Sequence, residues 1–465
     1  MSHQPTPDQT KAPRISSGNK EADEILGGGF PENTLNVIMG MPGTGKTLFA
    51  EQLIFHNASA ERPILYLTTL SEPMSKIVRY LQQFPFFQEE KLGTEVIYED
   101  IGDLLAAGGT STLLPHIKDA ITTTGPKIIV IDSFKAIHDL ATSLQEMRRM
   151  LYQLSGLLAA FEVTTFLIGE YSEDQVSTHP EFAVADAIIQ FSRKELGNRD
   201  ERFLRVRKLR GSGYREGLHA FRITDQGLEI FPRLVSPEIP KSYQRSAERV
   251  QTGVSGLDRM LEGGLWRGSN TLLAGPSGSG KTTVCLQFIL EGVRQGEPGL
   301  YVNFQENPTQ LAHSYKNVGF ATAAERSGLN LMYRSPVELQ VDSILVEIFR
   351  IVKEKGIKRL VIDAVGDLDT ATDDRQRMHD YLYALGQHLA VLEVSTIFVL
   401  ETYESGPGAL IVNDRVSYLA DNVILLGMRG ENEMLRRVRI LKTRGSAHDH
   451  HARDLKITPD GVHVS

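Results

Sequence analysis

The sequence predicts an α/β chain in which one fold, a mostly parallel twisted sheet covered by helices on both faces with a strand-rich C-terminal part, occurs twice in tandem. Three observations carry this. A phosphate-loop pattern, G-x-x-x-x-G-K-[ST], appears as Gly40-Met41-Pro42-Gly43-Thr44-Gly45-Lys46-Thr47 and again as Gly275-Pro276-Ser277-Gly278-Ser279-Gly280-Lys281-Thr282. Apolar strand-like runs alternate with helical stretches through both halves, the pattern of a sheet buried on both sides. In each half such a run closes on an acid, Asp132 after Lys127-Ile128-Ile129-Val130-Ile131 and Asp363 after Arg359-Leu360-Val361-Ile362.

The two copies align by position. Lys46 and Lys281 stand 235 residues apart, as do Gly18 and Gly253, and Gly29 and Gly264, so about the first sixty residues of each copy superimpose without a gap. Solenoid repeats run to about 20 to 50 residues, so these are tandem domains. Residues 1–13 are polar and read as a disordered tail. The first domain then occupies 14–231, a proline-containing aperiodic linker 232–249, and the second domain 250–465.

Composition bounds the class. The chain has 465 residues, 41% hydrophobic and 23% charged, which is the balance of a globular protein. No apolar run approaches the roughly 18 residues of a spanning helix, and the polar start lacks the apolar stretch of a secretory signal, so a cytoplasmic protein without a membrane partner is expected. A net charge of −8 argues against broad capture of nucleic acid. The single cysteine, Cys285, has no internal disulfide partner and reads as a small core residue.

In the first copy the run Leu35 to Met39 leads into the loop, a helix is expected over Leu48 to Ala58, and a strand over Pro63 to Thr69. In each loop the glycines (Gly40, Gly43 and Gly45; Gly275, Gly278 and Gly280), with Thr44 and Ser279 between them, let backbone N–H groups turn inward around a polyphosphate. Lys46 and Lys281 supply a point charge to the β/γ-phosphates, Thr47 and Thr282 a hydroxyl to Mg²⁺, and the following helix a positive N-terminus. Asp132 and Asp363, at the carboxyl ends of buried strands, stand where such sheets bind ligands and hold Mg²⁺ through water; the plain alternative is an acid opening a turn. ATP and Mg²⁺ are therefore the expected ligands.

The next helices carry Leu144, Met147, Leu151, Leu154, Leu158 and Phe161, and Met378, Leu382, Leu385, Leu389 and Leu392, a 3,4 spacing that assigns one face to the sheet. Strands follow at Thr164 to Ile168 and Thr396 to Leu400. Both strand-rich ends contain a basic phrase, Lys208-Leu209-Arg210-Gly211-Ser212 and Lys442-Thr443-Arg444-Gly445-Ser446. Alternation along a strand would put both charges on one face, suited either to phosphate or to solvent. The run His448-Asp449-His450-His451 suggests a metal, but neighbouring side chains on a strand alternate faces and do not converge.

These motifs resemble the KaiC family of circadian-clock ATPases, tandem RecA-like phosphate-loop proteins, over nearly the whole chain from Arg14. The resemblance rests on Thr252-Gly253-Val254-Ser255-Gly256-Leu257-Asp258, the two loops, the two strand-end acids and the K-x-R-G-S phrases. It implies ATP held between subunits of a ring, expected to be a homohexamer, with slow hydrolysis and serine/threonine autokinase activity in the second domain. It also implies that Lys208 and Arg210, and Lys442, Arg444 and His448, reach a neighbour's nucleotide.

The family carries adjacent glutamates after the strand that follows the loop helix, one of which activates the nucleophile. The first domain has Leu70-Ser71 there, with Glu72 displaced by one. The second has Gln305-Glu306, and Gln305 lacks a basic carboxylate. Hydrolysis is therefore expected mainly in the second domain, with Glu306 as base, and the autokinase step loses its acid. Of the family's Ser-Thr phosphosite pair, Ser417 matches and Tyr418 does not. The sequence runs to Ser465 without the family's long C-terminal tail, so regulation by the partner of that tail is not expected. Two other readings stand beside the ring ATPase: a nucleotide-gated scaffold that recruits a signalling partner, and a RecA-type DNA recombinase or helicase, which the acidic charge disfavours.

Overall fold

The computed structural model describes residues 13–69, 74–197, 199–311, 328–368, 371–372, 374–402, 420–429 and 435–465. Leu70, Ser71, Glu72 and the predicted phosphosite Ser417 lie outside the described residues. Two compact units divide the chain, Met1–Arg233 and Leu234–Ser465.

The first unit opens with a short hairpin, β1 (Arg14–Ile15) against β2 (Phe30–Pro31), and then builds a nine-stranded sheet. Its strands are β3 (Leu35–Met39), β4 (Ile64–Thr68), β5 (Val96–Asp100), β6 (Ile128–Asp132), β7 (Thr164–Gly169), β8 (Ala187–Leu196), β9 (Arg199–Leu209), β10 (His219–Thr224) and β11 (Gly227–Phe231). Their spatial order is β5-β4-β6-β7-β3-β8-β9-β10-β11. Pairings from β5 to β8 are parallel and those from β8 to β11 antiparallel. The phosphate-loop strand β3 is thus central, and all five of its residues are buried. Ile38 enters the core on one face while Leu35, Val37 and Met39 enter the core on the other, the period-two signature of a strand covered on both sides.

The second unit repeats this strand for strand. A hairpin of β12 (Arg249–Val250) and β13 (Leu265–Trp266) precedes β14 (Asn270–Gly275), β15 (Gly299–Asn303), β16 (Leu329–Tyr333), β17 (Arg359–Asp363), β18 (Ser395–Glu401), β19 (Asn422–Arg429), β20 (Leu435–Thr443), β21 (Arg453–Thr458) and β22 (Gly461–Val464). The order β16-β15-β17-β18-β14-β19-β20-β21-β22 is the same topology. Cys285 is fully buried in this unit's core. Within the aperiodic stretch Arg233 still bonds the first unit, its N–H donating to His219 Nδ1 at 2.9 Å, whereas from Leu234 the chain belongs to the second unit, where His388 Nε2 donates to Val235 O at 2.8 Å and Arg245 pairs with Asp421 at 3.0 Å.

Helices cover both faces. The helix Lys46–Asn57 presents Phe49, Leu53 and Ile54 to one core, and the helix Leu144–Ala160 presents Met147, Leu151, Leu154 and Leu158 to the other. The second of these starts where the Ser143 hydroxyl accepts the N–H of Glu146 at 3.2 Å. The predicted apolar face is too long at its ends. Leu144 is 51% exposed, Phe161 40% and Leu392 49%, because each stands in the first turn or beyond the last, clear of the sheet. No described helix is long and apolar enough to cross a membrane.

Candidate functional site

Each loop leaves the carboxyl end of a central strand and enters a helix through a glycine that is left-handed, Gly45 at φ 97° and Gly280 at φ 99°. A side chain would be strained there, and at Gly280 an added Cβ would also meet Ile457 Cδ1 at 2.8 Å. The conformation turns the first helical N–H groups toward the loop's concave side, where an anion is stabilised. Thr44 Oγ1 donates to Met41 O at 2.7 Å and ties the first loop across its own turn, whereas Ser279 Oγ is buried and meets no hydrogen-bond partner among the described residues.

Both lysines fold back over their loops. Lys46 Nζ donates to Met41 O at 3.0 Å, and Lys281 Nζ to Gly275 O at 2.9 Å and Pro276 O at 2.8 Å. Burial pushes both ammonium groups below the ordinary lysine value, while Glu170 and Asp132 around Lys46, and Glu401 and Asp363 around Lys281, act in the opposite direction. The predicted hydroxyl and acid meet in both units: Thr47 Oγ1 donates to Asp132 Oδ2 at 2.9 Å and Thr282 Oγ1 to Asp363 Oδ2 at 3.2 Å. A tyrosine from the neighbouring strand donates to the same oxygen, Tyr66 at 2.9 Å and Tyr301 at 2.5 Å. Burial raises both carboxyl groups above the usual carboxylate range, and these hydrogen bonds oppose it. Two hard oxygen donors fixed side by side at the mouth of a phosphate loop fit Mg²⁺.

In the second unit these groups border a cavity of about 380 Å³ lined by Lys281, Thr282, Asp363, Glu306, Glu401 and Arg436, among others. The strand-end residue Asn303 builds its floor. Its Oδ1 accepts the N–H of Gln305 at 2.8 Å and of Glu306 at 3.2 Å, which curls the chain after β15 back over the cavity. Gln305 Nε2 donates to Asp367 at 3.0 and 3.1 Å, so this amide is held by an acid outside the loop. Glu306 Oε2 is buried and accepts no hydrogen bond from a described residue.

The basic phrases lie elsewhere. Lys442 pairs in register with Val423, near the start of β19, whereas the phosphate loop follows the end of β14. Val423 is level with Leu272, three residues or about 10 Å of strand before β14 ends at Gly275, and the Lys442 side chain turns toward Ala420, away from its own loop. Its Nζ donates to Ala420 O at 2.7 Å, and Lys208 Nζ donates to Ala183 O at 3.3 Å and Phe182 O at 3.4 Å. The alternation expected for K-x-R is cut short, because β9 ends at Leu209 and β20 at Thr443. Arg210 and Arg444 follow the strand ends, where their own N–H groups close onto Asp186 O at 2.9 Å and Asp421 O at 3.0 Å. His448 Nε2 is buried without a described hydrogen-bond partner, and burial lowers the imidazole below its ordinary value. Asp449 binds Arg453 and His451.

Several residues escaped the sequence reading. Tyr66 and Tyr301 keep the 235-residue offset and were open to discovery on that ground. Asn303 has Thr68 as its counterpart, and Arg436, whose Nε donates to Gly278 O at 2.9 Å, comes from a strand far along the chain. Glu170 and Glu401 are 231 residues apart, the same offset as Asp132 and Asp363, and were open to discovery on that ground.

Comparison with known proteins places this geometry in context. The family model described as "ATPase: KaiC" matches residues 15–235 and again 250–465. The circadian clock oscillator protein KaiC of Rippkaea orientalis is 27% identical over 456 residues, covering 94% of this chain and 86% of that protein. The protein of the same name from Parathermosynechococcus lividus is 27% identical over 488 residues, covering 100% of this chain and 89% of its own. The circadian clock protein KaiC3 of a Synechocystis species is 26% identical over 467 residues, covering 97% of this chain and 91% of its own.

Proposed function

The chain belongs to the KaiC family of ATPases, and from that premise we propose that it binds ATP at both phosphate loops and hydrolyses it mainly in the second domain. The observation that carries this reading is the unpartnered, buried Oε2 of Glu306 on the cavity that Lys281, Thr282 and Asp363 also line. A carboxylate oxygen on the cavity with no donor of its own is free to accept a hydrogen bond, and then a proton, from an attacking water. Thr47 with Asp132, and Thr282 with Asp363, would hold Mg²⁺, which when bound neutralises phosphate charge. Lys46 and Lys281 cradle the terminal phosphates, Arg436 braces the second loop from outside, and Asn303 aims Glu306.

Lys208 and Arg210, and Lys442, Arg444 and His448, complete the sites in trans, in a closed homohexameric ring whose subunits pack head to tail. The pairing of Lys208 and Lys442 near the starts of β8 and β19, the ends away from the loop of their own unit, supports this. Autophosphorylation on Ser417 is a subordinate part of the proposal, weakened by the engagement of Gln305 with Asp367. For the first domain a second reading is favoured by Leu70-Ser71 in place of the family's acids: ATP bound there assembles the ring as a scaffold. The test is ATP turnover and sizing of two variants. Lys281→Ala removes most turnover and Lys46→Ala dissolves the ring; turnover in Lys281→Ala at more than half that of the unaltered chain contradicts the location of hydrolysis, and a ring that survives Lys46→Ala removes the scaffold.

A further inference from the structure

In both sheets one strand separates the strand of the candidate Mg²⁺ acid from the strand of the phosphate loop: β7 lies between β6 and β3, and β18 between β17 and β14. Its exit carries a glutamate. Asp132 pairs with Ile168, so Glu170 stands two residues beyond the level of the acid. Ile362 pairs with Phe398, which puts Asp363 level with Val399 and Glu401 again two residues beyond. Two residues of strand carry each glutamate about 7 Å further out of the sheet edge. Alternation also fixes the face. Val399 enters the core under the second phosphate-loop helix, so Glu401, the last residue of β18, projects on that side; Glu170 follows the end of β7 at Gly169, near enough for its charge to act on Lys46.

The contact with the loop is direct in the second unit. Glu401 is the ladder partner of Gly275, the N–H of Thr402 donates to Gly275 O at 3.1 Å, and Lys281 Nζ donates to that same carbonyl at 2.9 Å. Glu401 lines the cavity together with Glu306. In the first unit Met39 pairs with Gly169, which brings Glu170 beside Gly40. A carboxylate this far beyond the metal acid and next to the phosphate-loop lysine is placed at the terminal phosphate of a bound triphosphate.

Resting on the ATPase reading above, we propose that Glu170 and Glu401 are a second catalytic carboxylate position, shared by the two sites, that holds the attacking water. At the second site Glu306 takes one proton of the water while Glu401 accepts the other hydrogen and fixes the direction of attack. At the first site Glu170 takes the proton. The water oxygen bonds to the γ-phosphorus, the bond from that phosphorus to the β–γ bridging oxygen breaks, and ADP leaves with the electron pair. The proton then passes from the carboxylate to inorganic phosphate or solvent, so the step needs no further reactant.

The experiment is steady-state ATP turnover by the full-length chain. Glu401→Gln lowers kcat roughly tenfold or more and leaves KM within about twofold, since the lost interaction belongs to the attacking water, and Glu401→Asp recovers part of the rate. In a Lys281→Ala chain, whose residual turnover reports the first site, Glu170→Gln has the same effect and Glu170→Asp the same partial recovery. An unchanged kcat in Glu401→Gln, or an Asp variant no better than Gln, overturns the proposal while leaving the role of Glu306 intact. A Lys281→Ala chain with no turnover at all removes the Glu170 half. Failure of the unaltered chain to bind ATP would instead sink the underlying ATPase reading.

Discussion

Tyr98 donates its phenolic hydrogen to Glu51 at 2.5 Å, inside the core beneath the first phosphate loop. The second unit fills the matching positions with Leu286, on the loop helix, and Leu331, the ladder partner of Tyr301 as Tyr98 is of Tyr66. One copy of the fold therefore keeps a buried acid where the other keeps an apolar pair. Glu51 is 3% exposed, and burial pushes its carboxyl up to about 8, with the Tyr98 hydrogen bond opposing.

That shift makes the first unit's stability depend on pH. The unfolded chain releases this proton near pH 4.3 and the folded chain holds it to about 8, so the folded state binds more protons in between. The stabilisation is complete below about pH 4.3, declines by up to about 1.4 kcal/mol per pH unit, and is gone above the folded value. Glu51→Gln removes this slope. Calorimetric scans at pH 6 and pH 9 should show the variant gaining about 5 °C or more on the unaltered protein over that interval; parallel curves would show that Glu51 does not titrate as its burial requires.

Asn303 supports the turn that carries Glu306, accepting two successive N–H groups. Asn303→Ala frees the turn without touching the phosphate loop. The expected result is a fall in kcat of about tenfold with ATP affinity retained, because misplacing a base costs rate and not ground-state binding. Equal loss of affinity in an ATP titration would place Asn303 in binding.

Completion of the sites in trans is checked by mixing. Rings assembled from Lys281→Ala and Arg444→Ala chains contain some interfaces with both residues native, roughly a quarter if subunits mix at random. Turnover should recover to about that fraction of the unaltered protein. Mixtures as inactive as either variant alone would mean that Arg444 serves its own subunit, and an Arg444→Ala chain as active as the unaltered protein that it serves none.

Much of this architecture could be read from residue order, and what could not has physical causes. The phosphate loops and strand-end acids are local patterns whose chemistry fixes their spacing, so the doubling of the fold and the meeting of Thr47 with Asp132 and of Thr282 with Asp363 were legible. Glu51 was not, because a glutamate on an amphipathic helix is ordinarily exposed and only the third dimension brings Tyr98 over it. Arg436 and Asn303 depend on which strands become neighbours. Arg210 and Arg444 were placed on strands that end one residue too soon, since a chain leaving a sheet at a glycine turn looks extended until its hydrogen bonds are known.

Arg359 offers a stability test independent of nucleotide. Its side chain is 0% exposed and is satisfied by Glu297 at 2.8 Å, Gln251 O at 2.7 Å, Phe288 O at 2.9 Å and Gln295 at 3.2 Å. Arg359→Ala empties a fully buried site and takes one of two arginine partners from part-buried Glu297, which keeps Arg267, a loss on the order of 3 kcal/mol in the second unit. Trp266, the single tryptophan, lies in that unit with the Arg249 guanidinium 3.5 Å from its ring centre, and its fluorescence reports the unfolding. A denaturation midpoint within error of the unaltered protein would show the cluster to be dispensable.

The location and chemistry of hydrolysis meet in one residue, and ATP turnover by the Glu306→Gln chain tests them together. With the carboxylate replaced by its isosteric amide, turnover should fall by about 100-fold or more while ATP binding at both loops persists. Turnover equal to that of the unaltered protein would contradict the assignment of Glu306 as the acid that activates water, and with it the placing of catalysis in the second domain.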